Sequence, residues 1–235
     1  MHGNLQLWLA GPEALQRFDP ARLTEDERSR YARLRRQERR QEFEVSRALR
    51  THVRDDSPQP ARESLSHSGG YAALARAHPS LRIGVDLEAH QARDVLATAR
   101  NAFSESEARA LSAAPAGARA PLFYAMWTVK EALAKALQLP LLDALRSCVL
   151  LVDGTEWQVR APTPAGGRVA VYQPRAGLTL AVACIGESLP IETWSWPPQQ
   201  PATWPLIAAI ALAASDAHAA AGPGSAGAAR DAAPA

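Results

Sequence analysis

Lysine is almost absent from this chain of 235 residues. Every one of its 26 basic residues is arginine except Lys130 and Lys135, and 24 acidic residues bring the formal net charge to only +2. A charge this small does not single out nucleic acid or a membrane surface as the partner. Both lysines fall within residues 127–135. Because the chain uses arginine at every other basic position, their presence indicates that these positions need an ammonium group, which can release a proton. Chance clustering on a solvated helix face is the alternative.

Cysteines and long apolar runs are also scarce. Cys148 and Cys184 are the only cysteines, and both lie in apolar, strand-like runs, which favours buried free thiols over a disulfide. No apolar run approaches the roughly 20 residues that a membrane span needs. The first residues show no signal peptide. We therefore expect a cytoplasmic protein without a membrane span.

Helix and strand signals occur in both halves of the chain. Thr24 with Glu27, and Ser104 with Glu107, have the T/S-x-x-E spacing of a capping box that begins a helix. The strongest amphipathic pattern covers residues 121–139. The predicted strands are 5–10, 71–77, 81–88, 148–152, 156–159, 168–172 and 178–184.

These signals predict an α+β fold of two similar α/β lobes, although no sequence repeat supports a duplication. We expect an N-terminal lobe at residues 1–88 and a C-terminal lobe at residues 89–186. Residues 187–235 are rich in Pro, Trp and then Ala, which predicts a disordered tail with a short helix at Leu206–Ala214.

Three carboxylates indicate a metal site. Asp86 and Glu88 are two residues apart in I-G-V-D-L-E, so a strand places both on one face. Glu131 lies in the strongest helix, one turn from Trp127 and one turn from Lys135. A small group of carboxylates beside an ammonium group is suited to bind Mg²⁺, or alternatively Mn²⁺, together with a phosphate ligand. An exposed strand end and an ordinary surface pair are the alternatives.

Two further features are compatible with phosphate binding. Ser66-His67-Ser68 precede two glycines, and we expect a loop there. Its hydroxyl and imidazole groups can donate to phosphate oxygens, although a loop without such a role is the alternative. Residues 17–54 contain 12 arginines and 7 acidic residues. This stretch is either a solvated helical surface or a binding surface for anions or an acidic partner.

The order S-H-S, I-G-V-D-L-E and W-T-V-K-E-A-L-A-K resembles the 4′-phosphopantetheinyl transferases over about residues 24–184. The length resembles their larger monomeric class, a pseudo-dimer of fused lobes typified by surfactin synthetase-activating enzymes. The resemblance implies transfer of the 4′-phosphopantetheine arm of coenzyme A to a serine of an apo acyl or peptidyl carrier protein. Adenosine 3′,5′-bisphosphate would be released, as in holo-[acyl-carrier-protein] synthases of fatty-acid, polyketide and nonribosomal-peptide biosynthesis.

The resemblance also assigns roles to individual residues. Glu107 matches an acid thought to help deprotonate the carrier serine, and Lys135 would reach the pyrophosphate of coenzyme A. The metal ligands would be Asp86, Glu88 and Glu131; the coenzyme contacts Arg28, Arg30, Arg40, Ser66, His67, Lys130 and Lys135; and the catalytic residues Glu107, Glu131 and Lys135.

The chain departs from the family pattern at two places. A Gly-Lys-Pro motif that many members carry before S-H-S is missing from D-D-S-P-Q-P-A-R-E-S, and Gln41 stands where an arginine is usual. Arg39 or Arg40 is the expected substitute for that arginine. An inactive transferase-like protein and a non-enzymatic basic binding protein therefore stay open. A Mg²⁺-dependent nuclease or phosphohydrolase also stays open. It fits poorly, because such nucleases usually place a lysine two residues after a strand carboxylate, whereas Glu88 is followed by Ala89 and His90.

Overall fold

The computed structural model describes residues 4–153, 156–163, 166–186 and 189–213. Its α-helices are α1 (Glu25–Arg33), α2 (Gln37–Asp56), α3 (Val95–Ala102), α4 (Glu105–Ala113), α5 (Ala116–Leu137) and α6 (Leu141–Ser147). Its strands are β1 (Leu5–Ala10), β2 (Arg62–Ser68), β3 (Tyr71–Ala77), β4 (Arg82–Ala89), β5 (Val149–Asp153), β6 (Glu156–Arg160), β7 (Gly167–Arg175), β8 (Leu178–Ile185), β9 (Ile191–Trp196), β10 (Gln200–Pro201) and β11 (Leu206–Ala213). The predicted α+β class is confirmed.

Local capping chemistry explains where the helices begin. The Thr24 side chain accepts a hydrogen bond from the Glu27 amide, and the Glu27 side chain accepts one from the Thr24 amide. Ser104 and Glu107 repeat this arrangement at the start of α4. Both capping boxes were predicted. No helix among the described residues is both long and apolar enough to cross a membrane.

The strands form two sheets. The first has the order β10-β9-β1-β3-β2, and the second has the order β4-β8-β7-β11-β6-β5. β4 is antiparallel to β8. The strand that we expected to end the N-terminal lobe therefore belongs to the second sheet, so the sheets do not divide at residue 88.

The elements stack in four layers. α2 packs on the outer face of the first sheet, the inner faces of the two sheets pack together, and α5 packs on the outer face of the second sheet. Leu7 on β1, Val85 on β4 and Leu180 on β8 meet in the central layer, each essentially inaccessible to solvent. Cys148 and Cys184 are both buried, and no disulfide joins them, as predicted.

The expectation of a tail beginning at residue 187 is wrong for residues 191–213. β9 pairs in parallel with β1, and β11 lies between β7 and β6. Leu206–Ala213 is thus a strand and not a helix, and it buries Ile210 and Leu212 against the core beneath α5. Residues 214–235, which we also expected to be disordered, lie outside the described residues.

A glycine sets the distance between α5 and the second sheet. A Cβ atom at Gly84 on β4 would lie 2.0 Å from the carbonyl oxygen of Ala132 and 2.6 Å from the amide nitrogen of Ala136. Real Cβ atoms essentially never approach backbone so closely, so only glycine permits this contact. The contact brings the middle of α5 directly onto the strand that carries Asp86 and Glu88.

Candidate functional site

Three carboxylates meet where β4 faces α5. Asp86 and Glu88 come from β4 and Glu131 comes from α5, and one oxygen from each lies within 4.8 Å of the others. The neighbouring strand residues, Val85 and Leu87, point into the core between the sheets. Strand alternation therefore turns the acidic residues toward α5, and the predicted convergence of the three carboxylates is present.

The two oxygens of Asp86 have different surroundings. Oδ1 accepts hydrogen bonds from Lys135 Nζ at 2.8 Å and from Ser66 Oγ at 2.9 Å. Oδ2 is buried and accepts no hydrogen bond from an amide or from a Lys, Arg or Ser side chain of the described residues, and the Glu131 carboxyl lies within hydrogen-bonding reach of Asp86. Leaving a buried charged oxygen unpaired is costly. A hard divalent cation would satisfy this oxygen, and an all-oxygen donor set is the kind that Mg²⁺ binds.

Burial and mutual repulsion raise the pKa values of the other two carboxylates. Burial is the largest cause for Glu131 and the charge of Asp86 is the next, and together they raise the pKa of Glu131 to about 7 against the opposing effect of Lys135. Burial, followed by the charge of Asp86, also raises the pKa of Glu88. These raised pKa values show that burial and repulsion disfavour the ionised carboxylates, and a bound cation would stabilise the ionised forms.

Lys135 occupies the edge of the cluster. Its Nζ also donates to the Val85 carbonyl at 2.8 Å, and a third of its side chain remains exposed. It borders a cavity of about 260 Å³ that Glu131 and Leu141 also line. An ammonium group thus lies beside the carboxylates with access to a ligand in this cavity.

Ser66 and His67 belong to strand β2, so the expectation of a loop at S-H-S is wrong. Successive side chains of a strand point to opposite faces. Ser66 contacts Asp86, whereas His67 faces α2, where its Nδ1 lies 3.5 Å from Glu42 Oε2. Burial lowers the pKa of His67, Glu42 opposes this, and the positive charges of nearby arginines add to it.

Arginines from α1 and α2 surround His67 with positive charge. Arg30 and Arg47 both act on its pKa. Arg30 and two other arginines predicted to bind coenzyme are exposed. Arg28 donates to the Leu23 carbonyl at 2.5 Å, and the Arg40 guanidinium lies 4.5 Å from the centre of the Tyr31 ring. Of the three predicted coenzyme arginines, Arg30 acts on the pKa of His67, so its positive charge lies near that side chain.

A comparison with protein-family models found a similarity in the part of the chain that carries the site. Residues 82–176 match the 4′-phosphopantetheinyl transferase superfamily. A search of curated proteins found no match. The matched segment begins with β4 and contains all of α5, so it holds the three carboxylates and Lys135. The resemblance is thereby confirmed for this segment at the level of the superfamily.

Within the superfamily segment, Lys130 and Glu107 form a fully buried ion pair. Lys130 Nζ lies 2.9 Å from Glu107 Oε1, and both side chains are 0% exposed. The ammonium also donates to the carbonyls of Leu145, at 2.8 Å, and Cys148, while Glu107 Oε1 accepts from the Leu150 amide at 2.8 Å. The pair ties α5 to α4, α6 and β5.

This burial argues against two predicted roles. A coenzyme contact at Lys130 and a catalytic acid at Glu107 both need atoms that a ligand can reach, and neither side chain offers one. Their hydrogen-bonding partners are protein groups that hold α5 in place. We therefore interpret both residues as structural, and the interpretation of Lys130 as a coenzyme ligand is dropped.

Three residues that contact the site were not among the predicted site residues. Ser68 Oγ donates to Glu88 Oε2 at 3.1 Å, and Trp127 Nε1 donates to Glu131 Oε1 at 2.8 Å. The Glu42 carboxylate accepts from the Gly69 amide at 2.9 Å and lies close to His67. The alternation of Ser64, Ser66 and Ser68 could have indicated that Ser68 faces the site. The i,i+4 spacing of Trp127 and Glu131 could have indicated their hydrogen bond. No local signal distinguishes Glu42.

Proposed function

We propose that this chain transfers the 4′-phosphopantetheine arm of coenzyme A to a serine of an apo carrier protein and releases adenosine 3′,5′-bisphosphate. The reaction would depend on Mg²⁺, with Mn²⁺ as a substitute. The proposal includes the larger, two-lobed monomeric class and a holo-[acyl-carrier-protein] synthase type of activity. Acyl and peptidyl carrier proteins are the candidate acceptors.

One observation carries the proposal: three carboxylates and Lys135 converge inside the segment that matches the transferase superfamily. Asp86, Glu88 and Glu131 would hold the cation. The cation, when bound, would neutralise the pyrophosphate of coenzyme A. The unpaired Oδ2 of Asp86 supports this assignment independently of the family match.

The chain's own residues have separable tasks in this reaction. The carrier serine hydroxyl loses its proton and its oxygen forms a new bond to the phosphorus that bears the pantetheine arm. The bond from that phosphorus to the bridging oxygen breaks, and the bridging oxygen leaves with adenosine 3′,5′-bisphosphate. Such a reaction needs charge stabilisation and in-line positioning more than covalent help. Lys135 would stabilise the charge that develops on the leaving phosphate. His67 and the exposed Arg28, Arg30 and Arg40 would bind the nucleotide phosphates.

The decisive assay follows the mass of the acceptor. The protein is incubated with coenzyme A, Mg²⁺ and several apo carrier proteins, and mass spectrometry detects the phosphopantetheine adduct on serine. Asp86→Ala and Glu131→Ala should each slow transfer by more than about 100-fold, since even contacts outside the ligand shell of a metal are worth 10–100-fold.

Glu105→Ala is the matched control for these variants. Glu105 is also a carboxylate of the superfamily segment, but it is 83% exposed and pairs only with Arg109. Its removal should leave the rate unchanged. No adduct on fatty-acid, polyketide or peptide carriers would refute the proposed transfer, and near-normal rates in Asp86→Ala would refute the metal site.

A further inference from the structure

Three serines alternate along β2 and face β4. Ser64, Ser66 and Ser68 are two residues apart, so their side chains share one face of the strand. The Ser64 hydroxyl accepts from the Val85 amide at 2.9 Å, and the Ser68 hydroxyl accepts from the Ala89 amide at 3.1 Å. Both strands are sheet edges. The hydroxyls thus bind amides of β4 that a neighbouring strand would otherwise bind.

Two of these serines also hold the carboxylates of β4. Ser66 Oγ donates to Asp86 Oδ1, and Ser68 Oγ donates to Glu88 Oε2. Within the described part of the chain, Ser64 makes no hydrogen bond to a carboxylate. A carboxylate with one oxygen fixed by a hydrogen bond presents its other oxygen in a defined direction.

We propose that Ser66 and Ser68 are positioning residues that orient Asp86 and Glu88 for a divalent cation. Each serine fixes one oxygen of its carboxylate, and the other oxygen of Asp86 is buried and unpaired. Hydrogen-bonded partners of metal ligands commonly set ligand direction and metal affinity in this way. The inference deepens the proposed function and rests on its metal site. It gives the alternating serines of β2 a role in metal binding.

The test measures Mn²⁺ affinity of the full-length protein by electron paramagnetic resonance of the free ion, without coenzyme or carrier. Ser66→Ala and Ser68→Ala should each weaken binding by about tenfold or more. Ser64→Ala is the control, because it removes a hydroxyl from the same strand face but contacts no ligand. It should bind Mn²⁺ like the wild type. Ser68→Thr keeps the hydroxyl and should restore affinity.

Urea unfolding of the same proteins separates positioning from folding. If Ser64→Ala and Ser68→Ala lose the same stability and the same Mn²⁺ affinity, the proposal is overturned. Wild-type Mn²⁺ affinity in both Ser66→Ala and Ser68→Ala would also overturn it. In the described part of the chain, the Ser66 side chain makes no hydrogen bond to the backbone of β4, so Ser66→Ala decides the matter if Ser68→Ala does not fold.

The wild type separates this inference from the function on which it rests. A wild-type protein that binds no Mn²⁺ would overturn the metal site and the serine proposal together. A wild-type protein that binds Mn²⁺, with the expected losses in the serine variants, but modifies no carrier would overturn the transferase function alone.

Discussion

At the scale of single residues, the two lysines have different tasks. Lys135 is partly exposed and touches Asp86, whereas Lys130 is buried against Glu107. The scarcity of lysine predicted that both positions need an ammonium group, and each lysine contacts a carboxylate. It could not separate a site residue from a structural one, because burial depends on the elements that pack around α5.

Lys135→Arg should impair transfer strongly although it preserves the charge. The compact ammonium donates to both the Val85 carbonyl and Asp86 Oδ1 at 2.8 Å, and a larger, planar guanidinium would not reproduce both hydrogen bonds in the same geometry. We expect the transfer rate to fall by about tenfold or more, as for loss of one donor to developing charge. Arg109→Lys, at an exposed position, should leave it unchanged. Wild-type activity in Lys135→Arg would contradict the need for an ammonium group.

Lys130→Met should lower the free energy of unfolding by about 3–5 kcal/mol, because it leaves Glu107 buried without its counter-charge. Adding Glu107→Gln removes the unpaired charge and should recover part of that loss. Urea unfolding of the two single variants and the double variant gives the coupling between the residues. Strictly additive losses would show that the ion pair has no energetic coupling.

At the scale of elements, α5 positions the site only because β4 lets it approach. Gly84→Ala should push α5 away, since the new methyl group meets backbone atoms at 2.0 and 2.6 Å. We expect a loss of about 1–3 kcal/mol of stability together with weaker Mn²⁺ binding.

Gly117→Ala is the control for this change in the same helix. Nothing lies within 4 Å of its added Cβ atom, and alanine favours helix over glycine, so stability should stay equal or rise. Equal Mn²⁺ affinity in Gly84→Ala and wild type would mean that the close approach does not position Glu131.

Sequence patterns predicted the structural elements that are determined by residues close to one another in the chain. The capping boxes located α1 and α4, and the D-x-E alternation placed two carboxylates on one face of β4. The S-H-S segment was misassigned because serine and glycine are common in loops, although the alternation Ser64, Ser66, Ser68 has the period of a strand. The contact between Ser66 and Asp86 joins two sheets and has no signal within either strand.

At the scale of the whole molecule, the strands after residue 186 complete both sheets. Composition predicted disorder there because alanine and proline dominate. Small side chains nevertheless suit β11, which packs between β7 and β6 and buries Ala208, Ile210 and Leu212. Trp194 on β9 likewise stacks on Trp8 of β1, with ring centres 5.2 Å apart. The strands β9 and β11 form because they pair with strands that are distant in the sequence, which composition alone does not reveal.

Truncation distinguishes these strands from the residues that follow them. A chain ending at Gly186 lacks β9, β10 and β11, so β1 and β7 each lose a neighbouring strand and the core loses the buried side chains of β11. Buried surface dominates the stability of a marginally stable domain. We expect this chain to lose cooperative thermal unfolding. A chain ending at Ala213 retains every described strand and should unfold like the full-length protein. Cooperative unfolding of the shorter chain at an unchanged temperature would mean that these strands contribute little to the stability of either sheet.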